Sequence, residues 1–322
     1  MAWLPDRDVQ GPERPTTRDI EALNRVFSEA FTDRYRRDGM SGVRVPHLNT
    51  VIWRYALDDA GDGAMVWRDA DGVLCAFNIA HLSGREGWMG PLAVRPDRQG
   101  AGLGKTMLLA GIGWLKERGA RTIGLETMPR TIENIGFYSR LGFVPRHLTV
   151  TLVRDLPRRP GLHPEVLSIA GPARAERLAA CRQLTARLQP GTDFTRELTI
   201  TADLRIGDTL LVRDGAGDVA GFALYHTAAL AAGRPADELR VLKLVAASGD
   251  GFESLVAGLE AAALAADLRR VTFRCQTACS DAYLRLVHLG YRAHWTDLRM
   301  TLARHEEPAQ PAGAVVWSNW EI

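Results

Sequence analysis

Apolar residues recur every three or four positions at Ile20, Leu23, Val26, Phe27 and Phe31, a spacing that lines one face of a helix and predicts one opening at Thr17. A second helix is predicted over residues 47–57. From residue 64 the pattern changes. Short runs rich in β-branched and aromatic residues, bounded by glycine and aspartate, predict strands over 64–68, 73–82 and 86–94. A helix over 102–118, a strand over 122–127, a helix opening at Thr131 and a strand or strand pair over 143–153 follow. Helices, then antiparallel hairpins, then a strand–helix–strand crossover describe an α/β layered domain with a mixed sheet.

The pattern runs twice. Val66-Trp-Arg-Asp-Ala-Asp-Gly-Val-Leu-Cys-Ala-Phe77 resembles Leu211-Val-Arg-Asp-Gly-Ala-Gly-Asp-Val-Ala-Gly-Phe222, each a strand, a turn and a second strand. Leu109-Ala-Gly111 lines up with Val256-Ala-Gly258, and Leu141-Gly-Phe143 with Leu289-Gly-Tyr291, at an offset that stays near 145 to 148. A steady offset predicts two copies of one fold. They occupy residues 1–154 and 164–304, joined by a Pro- and Arg-rich linker over 155–163. In the tail, 305–322, the stretch Val315-Val-Trp-Ser-Asn-Trp-Glu-Ile322 reads as a returning strand.

At 322 residues the chain has room for two cores of ordinary size. With 46% apolar and 24% charged residues and a net charge of +2, it is neither a polybasic nucleic-acid binder nor an acidic tail. No cationic segment followed by an apolar run opens the chain, and no stretch is apolar enough to span a bilayer. A cytoplasmic protein without a membrane or nucleic-acid partner is expected. Cys75, Cys181, Cys275 and Cys279 are too few and too irregular for a disulfide framework, so reduced thiols are expected. Cys275 and Cys279 lack the further ligands a zinc site needs, and no metal is expected.

The stretch that carries chemistry is Val94-Arg-Pro-Asp-Arg-Gln-Gly-Ala-Gly-Leu-Gly-Lys-Thr106. Here a strand runs into a glycine-rich turn that opens a helix. The first N–H groups of a helix lack internal partners and its dipole is positive at that end, so a phosphate-bearing ligand is the natural occupant. A Walker loop would need glycine at position 99, where Gln99 stands. A dinucleotide fingerprint starting at Gly100 and Gly102 would need a third glycine at 105, which is Lys105. The residues instead match Gln/Arg-x-x-Gly-x-Gly/Ala through Gln99, Gly102 and Gly104. Downstream, Thr131-Ile-Glu-Asn-Ile-Gly-Phe-Tyr-Ser-Arg-Leu-Gly-Phe143 ends in Tyr-x-x-Leu-Gly-Phe. In these two motifs the chain resembles the GNAT superfamily of acyl-CoA-dependent N-acetyltransferases.

That resemblance implies an α/β fold of two tandem GNAT-like domains, each a mixed, mainly antiparallel sheet flanked by helices, with acetyl-CoA as co-substrate. The pyrophosphate would lie on Gln99, Gly100, Ala101, Gly102, Leu103, Gly104, Lys105 and Thr106. The backbone of Leu92, Ala93 and Val94 would pair with the pantetheine arm like an added strand, and the Val94 N–H would face the oxyanion. The family often places an asparagine seven residues before the tyrosine; Thr131 stands there, and Asn134 lies one helical turn nearer. Tyr138, protonated at neutral pH, would give its proton to the departing thiolate. No carboxylate ends the 86–94 strand, so the base is assigned to Glu126, at the carboxyl end of the next one. His81, His47 and Glu321 are further candidates.

In the second copy Gly249-Asp-Gly251 aligns with Gly102-Leu-Gly104, yet Ala246 replaces Gln99, Asp250 would face a phosphate, and Leu286 replaces Tyr138. This copy reads as degenerate. The tandem mycothiol synthases have the opposite order, with the working copy at the carboxyl end, so their acceptor is not carried over. The expected activity moves an acetyl group from acetyl-CoA to a primary amine of a small molecule or peptide, by direct attack in a ternary complex on a monomer or homodimer. The alternative is a non-catalytic CoA-binding sensor or scaffold. Only the first requires thiol release that depends on Tyr138.

Overall fold

The computed structural model describes residues 8–157, 169 and 171–320. The extreme amino terminus, most of the linker and Glu321 lie outside them. An edge strand, β1 (Val9–Glu13), leads to a capping box in which Thr16 and Asp19 satisfy each other's backbone N–H groups. A short 3-10 turn over Thr17–Asp19 then opens α1 (Ile20–Arg37). Its buried positions, Ile20, Leu23, Val26, Phe27 and Ala30, follow the expected spacing. The second helix, α2 (Thr50–Ala60), starts later than its apolar pattern suggests because the Asn49 side chain accepts the Val51 N–H and sets the boundary.

The first half continues through β2 (Ala64–Asp69), β3 (Leu74–Ser83), β4 (Glu86–Val94), α3 (Leu103–Glu117), β5 (Thr122–Thr127), α4 (Ile132–Arg140) and β6 (Phe143–Asp155). The second half repeats this order: α5 (Arg174–Leu188), α6 (Thr195–Leu204), β7 (Gly207–Arg213), β8 (Val219–His226), β9 (Glu238–Ala246), α7 (Gly249–Ala265), β10 (Arg270–Gln276), α8 (Ser280–His288) and β11 (Arg292–Leu302). A final strand, β12 (Val315–Ser318), follows.

The two halves share one sheet, ordered β1-β2-β3-β4-β5-β11-β6-β10-β9-β8-β7, with β12 on β9. The long last strand of each half lies beside the other half: β11 pairs with β5, and β6 pairs with β10. The division at 154 and 164 therefore follows the chain and not the sheet. Among the described residues the four cysteines are buried and free, and no helix is long and apolar enough to cross a membrane.

Two irregularities make the openings that matter. Between the pairs Asn78–Leu92 and Ala80–Met89, β4 carries one residue more than β3, a bulge at Gly90 and Pro91. β4 and β5 run parallel but pair only from Glu86–Thr122 to Met89–Leu125, and beyond that they part. The second half repeats the split, since β9 and β10 pair only from Glu238–Arg270 to Val241–Phe273. Met89 faces α3 beside Leu108 and Ile112; its neighbour Trp88 points the other way and stacks on Trp320, with ring centres 4.4 Å apart.

Candidate active site

A cleft of about 480 Å³ lies where β4 leaves β5. Leu92, Ala93 and Val94 form one wall, and Gln99, Gly100, Gly102, Gly104 and Lys105 close one end. Gly100 and Gly102 both have φ near +85°, a conformation that L side chains rarely adopt. Gly102 is the N-cap of α3 and offers no side-chain cap. Its carbonyl takes the N–H groups of Lys105 and Thr106, so the N–H groups of Leu103 and Gly104 end the helix without an internal partner. Gln99 supports the turn from below, its Nε2 donating to the Val94 carbonyl at 3.0 Å.

Of the residues read from the sequence, ten line the cleft; Ala101, Leu103, Thr106 and Glu126 do not. Tyr138 stands in the wall on α4, 5% exposed. Burial raises its pKa, because a phenolate would lose its water shell there. It therefore stays protonated at neutral pH. Asn134 also reaches the cleft. Thr131 is fully buried and donates from Oγ1 to Asp38 at 2.6 Å, so it does not take the place of the family's asparagine.

Sequence reasoning missed the opposite wall, where α1 contributes Ala30, Phe31, Asp33, Arg34 and Arg37, and α4 contributes Arg140. Four cationic side chains, Arg34, Arg37, Lys105 and Arg140, line this cleft, with Arg34 paired to Asp38 and Glu133 and Arg37 paired to Asp33. A signal existed: Arg34 and Arg37 continue the row set by Ala30 on α1. Charge at a helix's end reads first as a solvated surface, which hid it.

Glu126 does not serve as expected. Its carboxylate accepts from Thr149 Oγ1 and Arg299 Nη1, both at 2.6 Å, and also pairs with Arg274. Burial alone would raise its pKa, but the charges of Arg274 and Arg299 hold it below the usual range. A carboxylate so occupied is a poor proton acceptor, and the assignment of Glu126 as base is corrected. Its real place is structural: Glu126 and Arg274 stand 148 positions apart, as do Thr149 and Asp297. Arg274 also bonds Asp297 at 3.1 Å, so equivalent positions of the two halves meet in one polar cluster. The other sequence candidates, His47 and His81, are absent from the cleft wall.

The second half shows what the same opening becomes when filled. β12 pairs with β9 over Lys243–Ala246, inside the split between β9 and β10. Asn319 closes it, donating from its backbone to Leu242 and from its side chain to Arg274. The N-cap of α7, Ser248, accepts the Gly251 N–H at 3.1 Å. Arg285 crowds Gly249 and pairs with Glu253. Leu286, in the place of Tyr138, is fully buried.

Residues 21–143 match the acetyltransferase (GNAT) family model. A mycothiol acetyltransferase from Actinosynnema mirum is 33% identical over 164 residues, 44% of this chain and 50% of that protein. The chain spans about half the length of the curated relatives it matches. Among solved structures, a tandem GNAT protein from the clavulanic acid biosynthesis pathway superposes with a TM-score of 0.60 at 14% identity, over 93% of this chain and all of the other. Saccharomyces cerevisiae N-myristoyltransferase with bound myristoyl-CoA gives a TM-score of 0.63 at 12% identity, over 94% and 80% of the two chains. At such identities these two likenesses concern the fold.

Proposed function

With residues 21–143 matching the acetyltransferase (GNAT) family model, we propose that this chain transfers an acetyl group from acetyl-CoA to a primary amine of a small molecule or peptide, using its first half only. The observation that carries the reading is the cleft itself: a split strand edge, an uncapped helix end and a buried phenol meet in one opening.

The phosphates of CoA would rest on the 99–106 turn, with Lys105 and Arg140 beside it. The pantetheine arm would run along Leu92, Ala93 and Val94, and the thioester would then lie near Tyr138. The amine nitrogen attacks the thioester carbonyl, the tetrahedral oxyanion is met by a β4 backbone N–H, and the carbon–sulfur bond breaks. Tyr138 gives its proton to the thiolate, and the proton of the acylated nitrogen passes to water.

The test follows free thiol while acetyl-CoA and a panel of amines, aminoglycosides, amino acids and peptides are offered to the chain. Acceptor-dependent release is expected, and Tyr138→Phe lowers kcat by about 100-fold with CoA affinity unchanged. Tight CoA binding without release on any amine would instead describe a sensor. Full turnover in Tyr138→Phe would remove the tyrosine from the mechanism.

A further inference from the structure

His81, on β3 and 2% exposed, lies beside the bulge at which the cleft begins. Its Nε2 is 3.0 Å from the carbonyl oxygen of Gly90, and its Nδ1 is 2.7 Å from Asp59 Oδ2 at the end of α2. A backbone carbonyl can only accept, so Nε2 carries a hydrogen. Asp59 is buried, which by itself would raise its pKa, but the His81 hydrogen bond and the charges of His81, Arg196 and Lys243 bring it down to about 2. As a carboxylate it too can only accept, so Nδ1 also carries a hydrogen. The ring therefore bridges two acceptors as an imidazolium.

The second half holds the far end of this chain of bonds. Arg196, on α6, donates from Nε to Asp59 Oδ1 at 2.9 Å and from Nη2 to the Leu82 carbonyl at 2.9 Å. The other titratable groups around the pair are Tyr55 on α2, Glu197 on α6, Lys243 on β9 and Glu86 on β4. None of these groups lines the CoA cleft.

We propose that His81 is a positioning residue for acetyl transfer: anchored by Asp59 and Arg196, it pins the Gly90 carbonyl and so aims the β4 backbone from Leu92 to Val94 at the thioester. The proposal rests on the acetyl-transfer reading above. It assigns the second half a mechanical part in a reaction at which it has no cleft of its own.

The test has a spectroscopic and a kinetic arm, both on the full chain. In histidine-labelled protein, nitrogen NMR at neutral pH is expected to show His81 protonated at both ring nitrogens, with hydrogens that exchange slowly. His81→Leu is expected to lower kcat by about 10- to 100-fold, the scale of a small misplacement of reacting atoms, with CoA affinity within about 2-fold. His81→Gln, which keeps a donor for Gly90, is expected to restore kcat to within about 3-fold. Arg196→Met, acting one bond further away, is expected to cost less. An unprotonated Nε2, or a His81→Leu protein that binds CoA and keeps its kcat, overturns the proposal. If no amine is acetylated by the unaltered chain, it is the acetyl-transfer reading that fails, and the NMR arm alone then decides whether the imidazolium holds Gly90.

Discussion

The two clefts of this sheet begin alike and end in opposite states. β4 parts from β5 after Met89, and β9 parts from β10 after Val241. The first opening runs to a helix end without a side-chain cap, at Gly102. The second is filled by β12 and faces a helix end that Ser248 caps. The difference teaches that a cofactor site in this fold depends less on strand order than on whether its backbone groups are already satisfied. A strand edge and a helix N-terminus attract a ligand only while no part of the chain occupies them.

The strongest challenge to this contrast is to empty the second cleft. Trp317 on β12 is 1% exposed and packs edge-on against Phe252 and Phe273. Trp317→Ala is expected to cost about 3–5 kcal/mol in denaturant unfolding. It should create no second CoA site, because Ser248 and Arg285 still cover the helix end. Calorimetric titration that found two sites in this variant would mean that the tail alone separates the halves.

Glu126→Gln probes the seam where equivalent positions meet. It leaves Arg274 and Arg299 short of a partner and is expected to cost about 3 kcal/mol, read from the urea midpoint. The acid limb of the rate profile should not move. A shifted limb would restore Glu126 to the chemistry.

A smaller effect concerns Glu197, which receives a hydrogen bond from Ser83 of the first half. Burial, with Asp59 nearby, raises its pKa from 4.5 to about 7. The folded chain thus binds a proton that the unfolded chain has already released between those two values. Stability from this group is present below about pH 4.5 and falls as pH rises towards 7. The expected loss is on the order of 2 kcal/mol, and Glu197→Gln should flatten that part of the melting profile. An unchanged slope would show that Glu197 ionises freely.

Much of the first half was legible, because its signals are local. The strand over 122–127 and the strand over 86–94 have the expected bounds, and the turn at Gly100 and Gly102 declares its need for positive φ. β1 was not legible, since Val9-Gln-Gly-Pro-Glu13 is an exposed edge with no apolar alternation. The exchange of β6 and β11 leaves no periodic trace either, because it joins residues far apart in sequence, such as Leu298 with Thr127 and Arg270 with Asp155, that are each simply strand-like. Glu126 shows the same limit at a single residue. Its place at the end of a strand could be read, but the two arginines that occupy it come from β10 and β11. The cationic wall of α1 became visible only once the fold brought it to the 99–106 turn.

The central claim is that the chain holds one CoA, in its first half. Isothermal titration of CoA into the full chain, into Gly102→Val and into Ser248→Ala tests it directly. One site per chain is expected, weakened at least about 100-fold by Gly102→Val, which strains a left-handed backbone and blocks the approach of phosphate to the helix end. Ser248→Ala should leave affinity and stoichiometry unchanged while lowering stability by about 1 kcal/mol. Two sites in the unaltered chain, or binding that survives Gly102→Val intact, would contradict the account.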